Sequence, residues 1–221
     1  MGRLPESEER KKQMLIHLIQ TTEELITEIG LEAITIRAIS AKAKCNSASL
    51  YKYFRDLDEL LLYACIKKFK AYIEALAASA DLRNIKDLRT IYLRTWELFC
   101  LQAFSTPEAT YQLFFSKHSP GLEHIVNSYF NLFPEELAST PVHLMTMVSG
   151  VNLKKRNWKV LFPLLHNSLS NAKIVLINDL TIAYFQMLLN EKILHKKSGD
   201  VEALTKKMLE TCAYLIDKAD N

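Results

Sequence analysis

Glycine is scarce in this chain, with only five glycines among 221 residues. A glycine-rich loop that cradles phosphates is missing, and this disfavours a nucleotide-binding fold. No Ser/His/Asp or Cys/His combination has a recognisable catalytic spacing. The histidines lack the HxxxH-type spacing of zinc ligands and have no cysteines near them. We therefore predict no enzymatic activity, no metal site and no cofactor.

The cysteines are few and widely separated, at Cys45, Cys65, Cys100 and Cys212. Their spacing contains no CxxC pair, and the chain has no basic start followed by an apolar run, so we expect a cytoplasmic protein with reduced thiols. The longest stretch without a charged side chain, residues 137–153, contains a proline, a glycine, a histidine and several hydroxyl groups. We therefore expect no membrane-spanning segment.

The overall composition favours a helical protein with a sizeable core. Hydrophobic residues make up 49% of the chain, while the net charge of +3 is too small to identify a nucleic-acid partner by itself. Apolar residues recur at steps of three and four, strand-length alternation is missing, and caps followed by proline divide the second half. Beyond residue 81 we place helices at about 84–104, 107–117, 121–132, 141–149, 153–168, 171–195 and 200–218.

Residues 35–57 have the pattern of two short helices joined by a tight turn. Thr35 is a suitable N-cap for the first helix and Asn46 for the second. Only about three residues separate the helices, as in a helix-turn-helix unit, whose second helix can enter the major groove. An ordinary helical hairpin would look similar. The DNA-binding interpretation is favoured because small hydroxyl residues allow close approach, while Tyr51 and Lys52 can reach a phosphate or a base edge.

An amphipathic helix over about residues 11–29, ending at Gly30, precedes this unit and completes a three-helix head. Here the chain resembles the N-terminal domain of the TetR family of bacterial transcriptional regulators. The resemblance covers about residues 10–62 and includes Gly30, Thr35 and the run SLYKYF at 49–54. It implies an all-α protein with two domains.

The two domains implied by the resemblance are a helix-turn-helix DNA-binding domain over residues 1–55 and a helical effector-binding and dimerisation domain over residues 56–221. The predicted DNA-binding residues are Thr35, Arg37, Lys44, Ser47, Ala48, Ser49, Tyr51, Lys52 and Tyr53. Lys44 stands where the family usually has the turn glycine, and a positive φ at a non-glycine residue costs about 1 kcal/mol. The implied function is repression from a palindromic operator in double-stranded DNA, bound by a homodimer and released by an effector.

A long helix opens at Asp56 and Glu59, which form a capping-box-like pair, and connects the head to the body. In the resembled family this helix tilts when an effector binds and changes the separation of the two heads. The body is rich in aromatic and methionine side chains, most of which we expect in the core. The predicted pocket for a small apolar or aromatic effector consists of Trp96, Phe99, Tyr111, Phe115, Met145 and Trp158.

The two C-terminal helices carry more apolar surface than one core face needs, which indicates a dimer interface. Its predicted residues are Leu180, Phe185, Leu188, Leu204, Met208 and Leu215. In the resembled family the final two long helices of each subunit build a four-helix interface, so the resemblance implies the same homodimer.

Three questions stay open at the level of sequence. The basic run consists of Lys154, Lys155, Arg156 and Lys159. We expect it to be a solvated helix face, and the more specific alternative is a contact site for an acidic partner or an anionic effector. An α-helical enzyme or lipid-binding protein that uses the C-terminal pocket is one alternative function. A DNA-binding dimer without an effector is another, and a fully packed body would favour it.

Overall fold

The computed structural model describes residues 7–79, 86–138, 152–195 and 200–218. Within these ranges the chain consists of α-helices, two short 3-10 turns and their connections, with no strand. The predicted all-α fold class is confirmed. The helix predicted at 141–149 lies outside the described residues.

The head consists of three helices, α1 (Glu8–Ile29), α2 (Ile36–Lys42) and α3 (Ser47–Leu50). Each begins at a polar N-cap whose side chain accepts a hydrogen bond from a backbone N–H: Ser7 for α1, Thr35 for α2 and Asn46 for α3. Gly30 ends α1 with a φ of 80°, a conformation that glycine adopts without strain. The two caps predicted in the helix-turn-helix unit are therefore confirmed.

The body follows from α4 (Leu57–Ala78). Its other described helices are α5 (Leu88–Ser105), α6 (Pro107–Phe115), α7 (Leu122–Leu132), α8 (Pro134–Ala138), α9 (Leu153–Leu165), α10 (Asn171–Leu194) and α11 (Val201–Asp217). Pro107 occupies the first position of α6, where its missing N–H costs nothing.

Helix α4 is the helix of the body that follows the head. It packs against α1 of the head and against α5, α6 and α7 of the body, while α5 also packs against α9 and α11. The buried apolar side chains form one continuous cluster from Leu18 in α1 to Ile216 in α11. The predicted boundary between residues 55 and 56 falls at Asp56, the N-cap of α4. The division into two domains stays a prediction, because the core is continuous across it.

Helix α10 is apolar on two faces, and only one of them belongs to the core. Among the described helices it alone is long and apolar enough to cross a bilayer. This is weak evidence for a membrane span, because one face packs against α6, α9 and α11. The other face exposes an apolar stripe at steps of three, four and seven. The stripe consists of Leu176, Leu180, Ala183, Met187 and Leu194.

The side chains predicted for the dimer interface divide between the core and the surface of α10 and α11. Four of them, Phe185, Leu188, Leu204 and Met208, are at most 1% exposed and lie in the subunit core. Leu215 is half-buried, while Leu180 is 46% exposed and lies on the apolar stripe. A partner could therefore contact Leu180 directly but could not reach the four core residues.

All four cysteines are free thiols, and three of them lie in the core. Burial raises the pKa of Cys65 and of Cys212 to about 12 and raises that of Cys100 well above its ordinary value. Cys45 lies in the turn before α3 and is only half-buried.

Candidate nucleic-acid interface and effector cavity

The turn between α2 and α3 contains a lysine in the left-handed conformation. Lys44 has a φ of 52° and is the only non-glycine residue with a positive φ in the described ranges. Its N–H donates to the carbonyl of Ala41 at 3.3 Å, and the N–H of Cys45 donates to the carbonyl of Ser40 at 3.0 Å. The turn thus forms with lysine in a conformation that favours glycine, and the strain expected from the sequence is present.

The basic residues of the head do not contribute equally to its outer surface. Lys42 is paired with Glu24 and Glu28 of α1, and Arg55 is paired with Glu59 at 2.9 Å. By contrast, Arg37, Lys44 and Lys52 are exposed and form no ion pair with any described carboxylate. These last three residues place exposed positive charge around α3 and the start of α2. We call them the basic triad.

Helix α3 and the residues that follow it are anchored to the head by two apolar side chains and present polar ones outward. Leu50 and Phe54 are buried at 1% and 3% exposure, while Tyr51 is 59% exposed. Because α3 is short, the burial of Leu50 and Phe54 determines which side chains of this segment point outward. Aromatic and cationic side chains exposed together at the outer edge of a helix-turn-helix unit can contact phosphates and base edges.

Most of the predicted DNA-binding residues are exposed or half-exposed, and two of them, Thr35 and Tyr53, also make contacts within the head. Ala48 is exposed, and Ser47 and Ser49 are half-exposed. The hydroxyl of Thr35 accepts a hydrogen bond from the N–H of Ala38 at 3.1 Å. Tyr53 packs partly against the core. Thr35 and Tyr53 therefore have structural roles in the head in addition to any contact with DNA.

The start of α4 is held to the body by a charged cluster. The ring of His118 lies 2.9 Å from both carboxylate oxygens of Asp56, and Lys117 pairs with Asp56 at 3.3 Å and with Asp58 at 2.7 Å. The amide of Gln112 donates to the carbonyl of Asp58 at 2.9 Å. Burial opposes ionisation of Asp56, but hydrogen bonds from His118 and from the N–H of Glu59 outweigh it and lower the pKa to about 2.

A second cluster joins α1 of the head to the body. The Tyr129 hydroxyl lies 3.3 Å from Glu23 on α1 and 3.2 Å from Glu136 on α8. Lys67 on α4 lies 3.6 Å from Glu23 and 3.8 Å from Glu136. Burial raises the pKa of Glu23, although Lys67 acts in the opposite direction. The first cluster therefore fixes the start of α4 within the body, and the second joins α1 of the head to the body. Helix α4 takes part in both.

A cavity of about 160 Å³ lies between α4, α5 and α9. Its wall consists of Tyr72, Tyr92, Thr95, Trp96, Phe99, Leu153, Arg156, Asn157, Lys159 and Val160. Two residues of the predicted effector pocket, Trp96 and Phe99, belong to this wall.

The other residues of the predicted effector pocket lie elsewhere. Tyr111 and Phe115 on α6 contact each other with ring centroids 5.9 Å apart. Trp158 stacks on Phe162 at 5.1 Å. None of these three side chains lines the cavity, because the helices turn them toward other neighbours. Met145 lies outside the described residues.

The cavity has a polar side that the apolar pattern of the sequence did not predict. Trp96 donates its indole N–H to Asn157 at 2.9 Å, and Asn157 donates to Asn178 at 2.9 Å. Arg156 is only 9% exposed, and its Nη2 donates to the hydroxyl of Tyr72 at 3.1 Å. The cavity can therefore offer both aromatic surface and hydrogen-bond donors to a ligand.

The sequence contained a pattern that could have predicted the burial of Arg156. Leu153, Asn157 and Leu161 follow one another at steps of four on the buried face of α9, and Arg156 lies beside this stripe. The pattern was difficult to recognise because Arg156 lies in a run of basic residues, which is typical of a solvated helix face. Lys154 and Lys155 are indeed exposed, and Lys154 pairs with Asp179 at 2.8 Å. Arg156 is the one buried member of the run, while Lys159 is exposed and also lines the cavity.

Taken together, a helix-turn-helix head with an uncompensated basic triad and a helical body with a cavity define a DNA-binding transcriptional regulator. Residues 18–64 match the family described as bacterial regulatory proteins, tetR family. The N-terminal domain therefore belongs to the TetR family.

Solved structures share the fold over almost the whole chain. The complex of RolR with the ligand resorcinol is 13% identical, with a TM-score of 0.58 and 97% of both chains covered. A TetR transcriptional regulator from Rhodococcus sp. RHA1 is 10% identical, with a TM-score of 0.54, and the match covers 96% of this chain and 99% of that chain. At these identities the likeness concerns the fold alone. No curated protein matches the sequence.

Proposed function

We propose that this chain is a cytoplasmic, ligand-responsive repressor that binds a palindromic operator as a homodimer and is released by a small apolar or aromatic effector. Residues 1–55 form the DNA-binding domain of this proposal, and residues 56–221 form the effector-binding and dimerisation domain. The observation that carries it is the position of α4, which is bound at its start to the head-body junction and contributes Tyr72 to the cavity wall.

The DNA-binding part of the proposal rests on the basic triad. Arg37, Lys44 and Lys52 can attract the phosphates of DNA, because no described carboxylate neutralises these three side chains. Tyr51 stands among them and can add a contact to the backbone or to a base edge. Binding of this kind releases counterions from DNA, so the affinity must fall as the salt concentration rises.

The transmission of the effector signal is assigned to α4. From Asp56 to Tyr72 the helix extends about 24 Å, at 1.5 Å per residue. A ligand that displaces Tyr72 would tilt a rigid element whose other end contacts His118 and supports the head. A coupling of about 1–3 kcal/mol between the two sites would be enough for a 5- to 150-fold loss of operator affinity.

The cavity favours a regulator with an effector over an effector-free dimer. A fully packed body would leave no space for a guest, whereas this body holds about 160 Å³ beside Trp96 and Phe99. The RolR structure, which shares the fold, contains the aromatic ligand resorcinol. Both observations support an aromatic effector in the body.

The exposed apolar stripe of α10 is the surface we assign to the homodimer. Leu180, Met187 and Leu194 are 46%, 50% and 76% exposed, and their spacing lets two copies of α10 pack side by side. The interface residues of the proposal are thus those of the stripe, with the core residues of α10 and α11 supporting it from within.

Sedimentation can test this interface. Leu180→Glu places a charge at the centre of the stripe and should convert the dimer to a monomer at micromolar concentration, because a buried unpaired charge is strongly unfavourable. The matched control is Leu88→Glu, the same change at an exposed leucine on α5. A wild-type monomer, or equal behaviour of the two variants, would reject the interface.

Selection from a pool of random DNA duplexes tests the main proposal. The expected result is an enriched sequence with two-fold symmetry, whose affinity decreases steeply with salt. Failure to enrich any duplex would reject the operator-binding function, whereas enrichment of an asymmetric site would reject the symmetric dimer alone.

A further inference from the structure

Arg156 is a buried cation with unused hydrogen-bond donors. Its Nη2 donates to Tyr72, but its Nε and Nη1 are buried without a partner among the described residues. No described carboxylate lies within ion-pair distance of it. A buried charge is normally both paired and fully hydrogen-bonded, because removing it from water without partners is strongly unfavourable. Two of its three nitrogens, Nε and Nη1, therefore lack an acceptor among the described residues.

The stretch of sequence immediately before α9 contains no carboxylate either. Residues 139–151, which precede α9, include neither Asp nor Glu. The guanidinium carbon instead lies 5.0–5.9 Å from the centroids of four aromatic rings. These rings belong to Phe69, Tyr72, Phe99 and Phe114. They stabilise a cation through their π faces, but a phenylalanine ring offers no oxygen to which the N–H groups can donate.

Arg156 lies in the wall of the cavity, where a ligand could supply the acceptor. On the same wall, Trp96, Phe99 and Leu153 form an apolar surface. An apolar cavity of about 150 Å³ is known to hold one benzene molecule. The volume of about 160 Å³ found here is thus matched to a compact ligand with a single ring.

We propose that the effector is a compact organic anion, a carboxylic acid with one aromatic ring, whose carboxylate accepts hydrogen bonds from Arg156. The ring packs against Trp96 and Phe99. A guanidinium is always charged in proteins, and its planar donors match a carboxylate better than any neutral group. The regulatory consequence rests on the proposed function, whereas the ligand class rests on the cavity alone.

Calorimetry on the unmodified protein tests the ligand class. The probes are benzoate and 3-hydroxybenzoate, each paired with its neutral amide of nearly equal shape. We expect each acid to bind about 30-fold more tightly than its amide, since hydrogen bonds to a charged group are the strong ones. Equal affinities would overturn the proposal, and so would the absence of binding by both acids at millimolar concentration.

Substitutions identify the group that recognises the charge. Arg156→Met keeps the length and apolar character of the side chain and should abolish the preference for the acid. Lys155→Met removes an exposed charge one position away and should preserve that preference. A preference that survives in Arg156→Met would overturn the assignment. If Arg156→Met does not fold, as judged by circular dichroism, the comparison of acid with amide on the wild type decides the question.

DNA binding, measured separately by fluorescence anisotropy, distinguishes this inference from the proposed function. If the ligand-free protein binds no DNA while benzoate still binds the wild type more tightly than it binds Arg156→Met, the regulatory role fails and the ligand class stands. If phenol, a neutral ring, releases the operator as readily as benzoate does, the anionic ligand is rejected and the repressor function stands.

Discussion

The head and the body present their functional groups in opposite ways. In the head, Tyr51 and the basic triad are exposed on a small framework held by Leu50 and Phe54. In the body, Trp96 and Arg156 are buried beside the cavity and form part of the structure that surrounds it. A surface site can therefore be altered without loss of the fold, whereas a cavity site cannot be altered without changing the stability of the body.

The largest expected effect is on stability, and it is seen when a buried ring of the body and an exposed ring of the head are each replaced by alanine. Phe185 is fully buried, and its ring centroid lies 5.1 Å from that of Phe99 and 5.5 Å from that of Trp96. Phe185→Ala should lower the free energy of unfolding by about 3–5 kcal/mol. Tyr51→Ala should change it by less than about 0.5 kcal/mol while weakening DNA binding. Urea titrations measure both, and similar losses in the two variants would contradict the contrast.

The second prediction concerns charge within the head. Lys52→Ala should weaken operator binding about tenfold, or about 1.4 kcal/mol, and should reduce the slope of log affinity against log salt by about one unit. Lys42→Ala is the matched control, because Lys42 is already paired with Glu24 and Glu28. Its slope should equal that of the wild type. An equal change in both variants would mean that exposure does not decide which lysine contacts DNA.

The third prediction addresses the junction between the two regions. The pKa of Asp56 is about 2 in the folded protein and 3.8 as its ordinary value. Its charge therefore stabilises the fold above about pH 4, and this contribution is lost as the pH falls from about 4 to 2. Asp56→Asn keeps an N-cap but removes the charge, so its stability should fall less over this range. Asp56→Ala also loses the cap, which costs about 1 kcal/mol more.

Urea titrations at pH 7 and pH 3 measure these differences. If the wild type and Asp56→Asn lose the same stability between the two pH values, the contacts of Asp56 with His118 and Lys117 contribute nothing, and the junction depends on packing alone.

The smallest expected effect separates backbone strain from charge in the turn. Lys44→Gly removes the cost of a positive φ but adds freedom to the unfolded chain, so it should raise the free energy of unfolding by about 0.5 kcal/mol. Lys44→Ala removes the same charge and keeps the strain. Both variants should lose the same DNA affinity, while only the glycine variant should gain stability. A gain in both would show that φ is not the cause.

Local signals in the sequence predicted the head well. N-caps act within three residues, so Thr35 and Asn46 could be recognised without knowledge of the fold. The body required information about distant contacts. Because α10 is apolar on two faces, its sequence could not indicate that Phe185 packs inward while Leu180 stays exposed. Similarly, no property of Trp158 alone distinguishes it from Trp96, although only Trp96 lines the cavity.

The distribution of the thiols has a practical consequence for observing the proposed motion. Cys65, Cys100 and Cys212 are buried with raised pKa values, so they react slowly with alkylating reagents. Burial also raises the pKa of Cys45, but this cysteine is only half-buried, is the most accessible of the four and lies in the turn of the helix-turn-helix unit. A maleimide-linked spin label or fluorophore should therefore attach there first. In a dimer it would place one reporter on each head, so that the distance between the two labels could be followed during a titration without introducing a new cysteine.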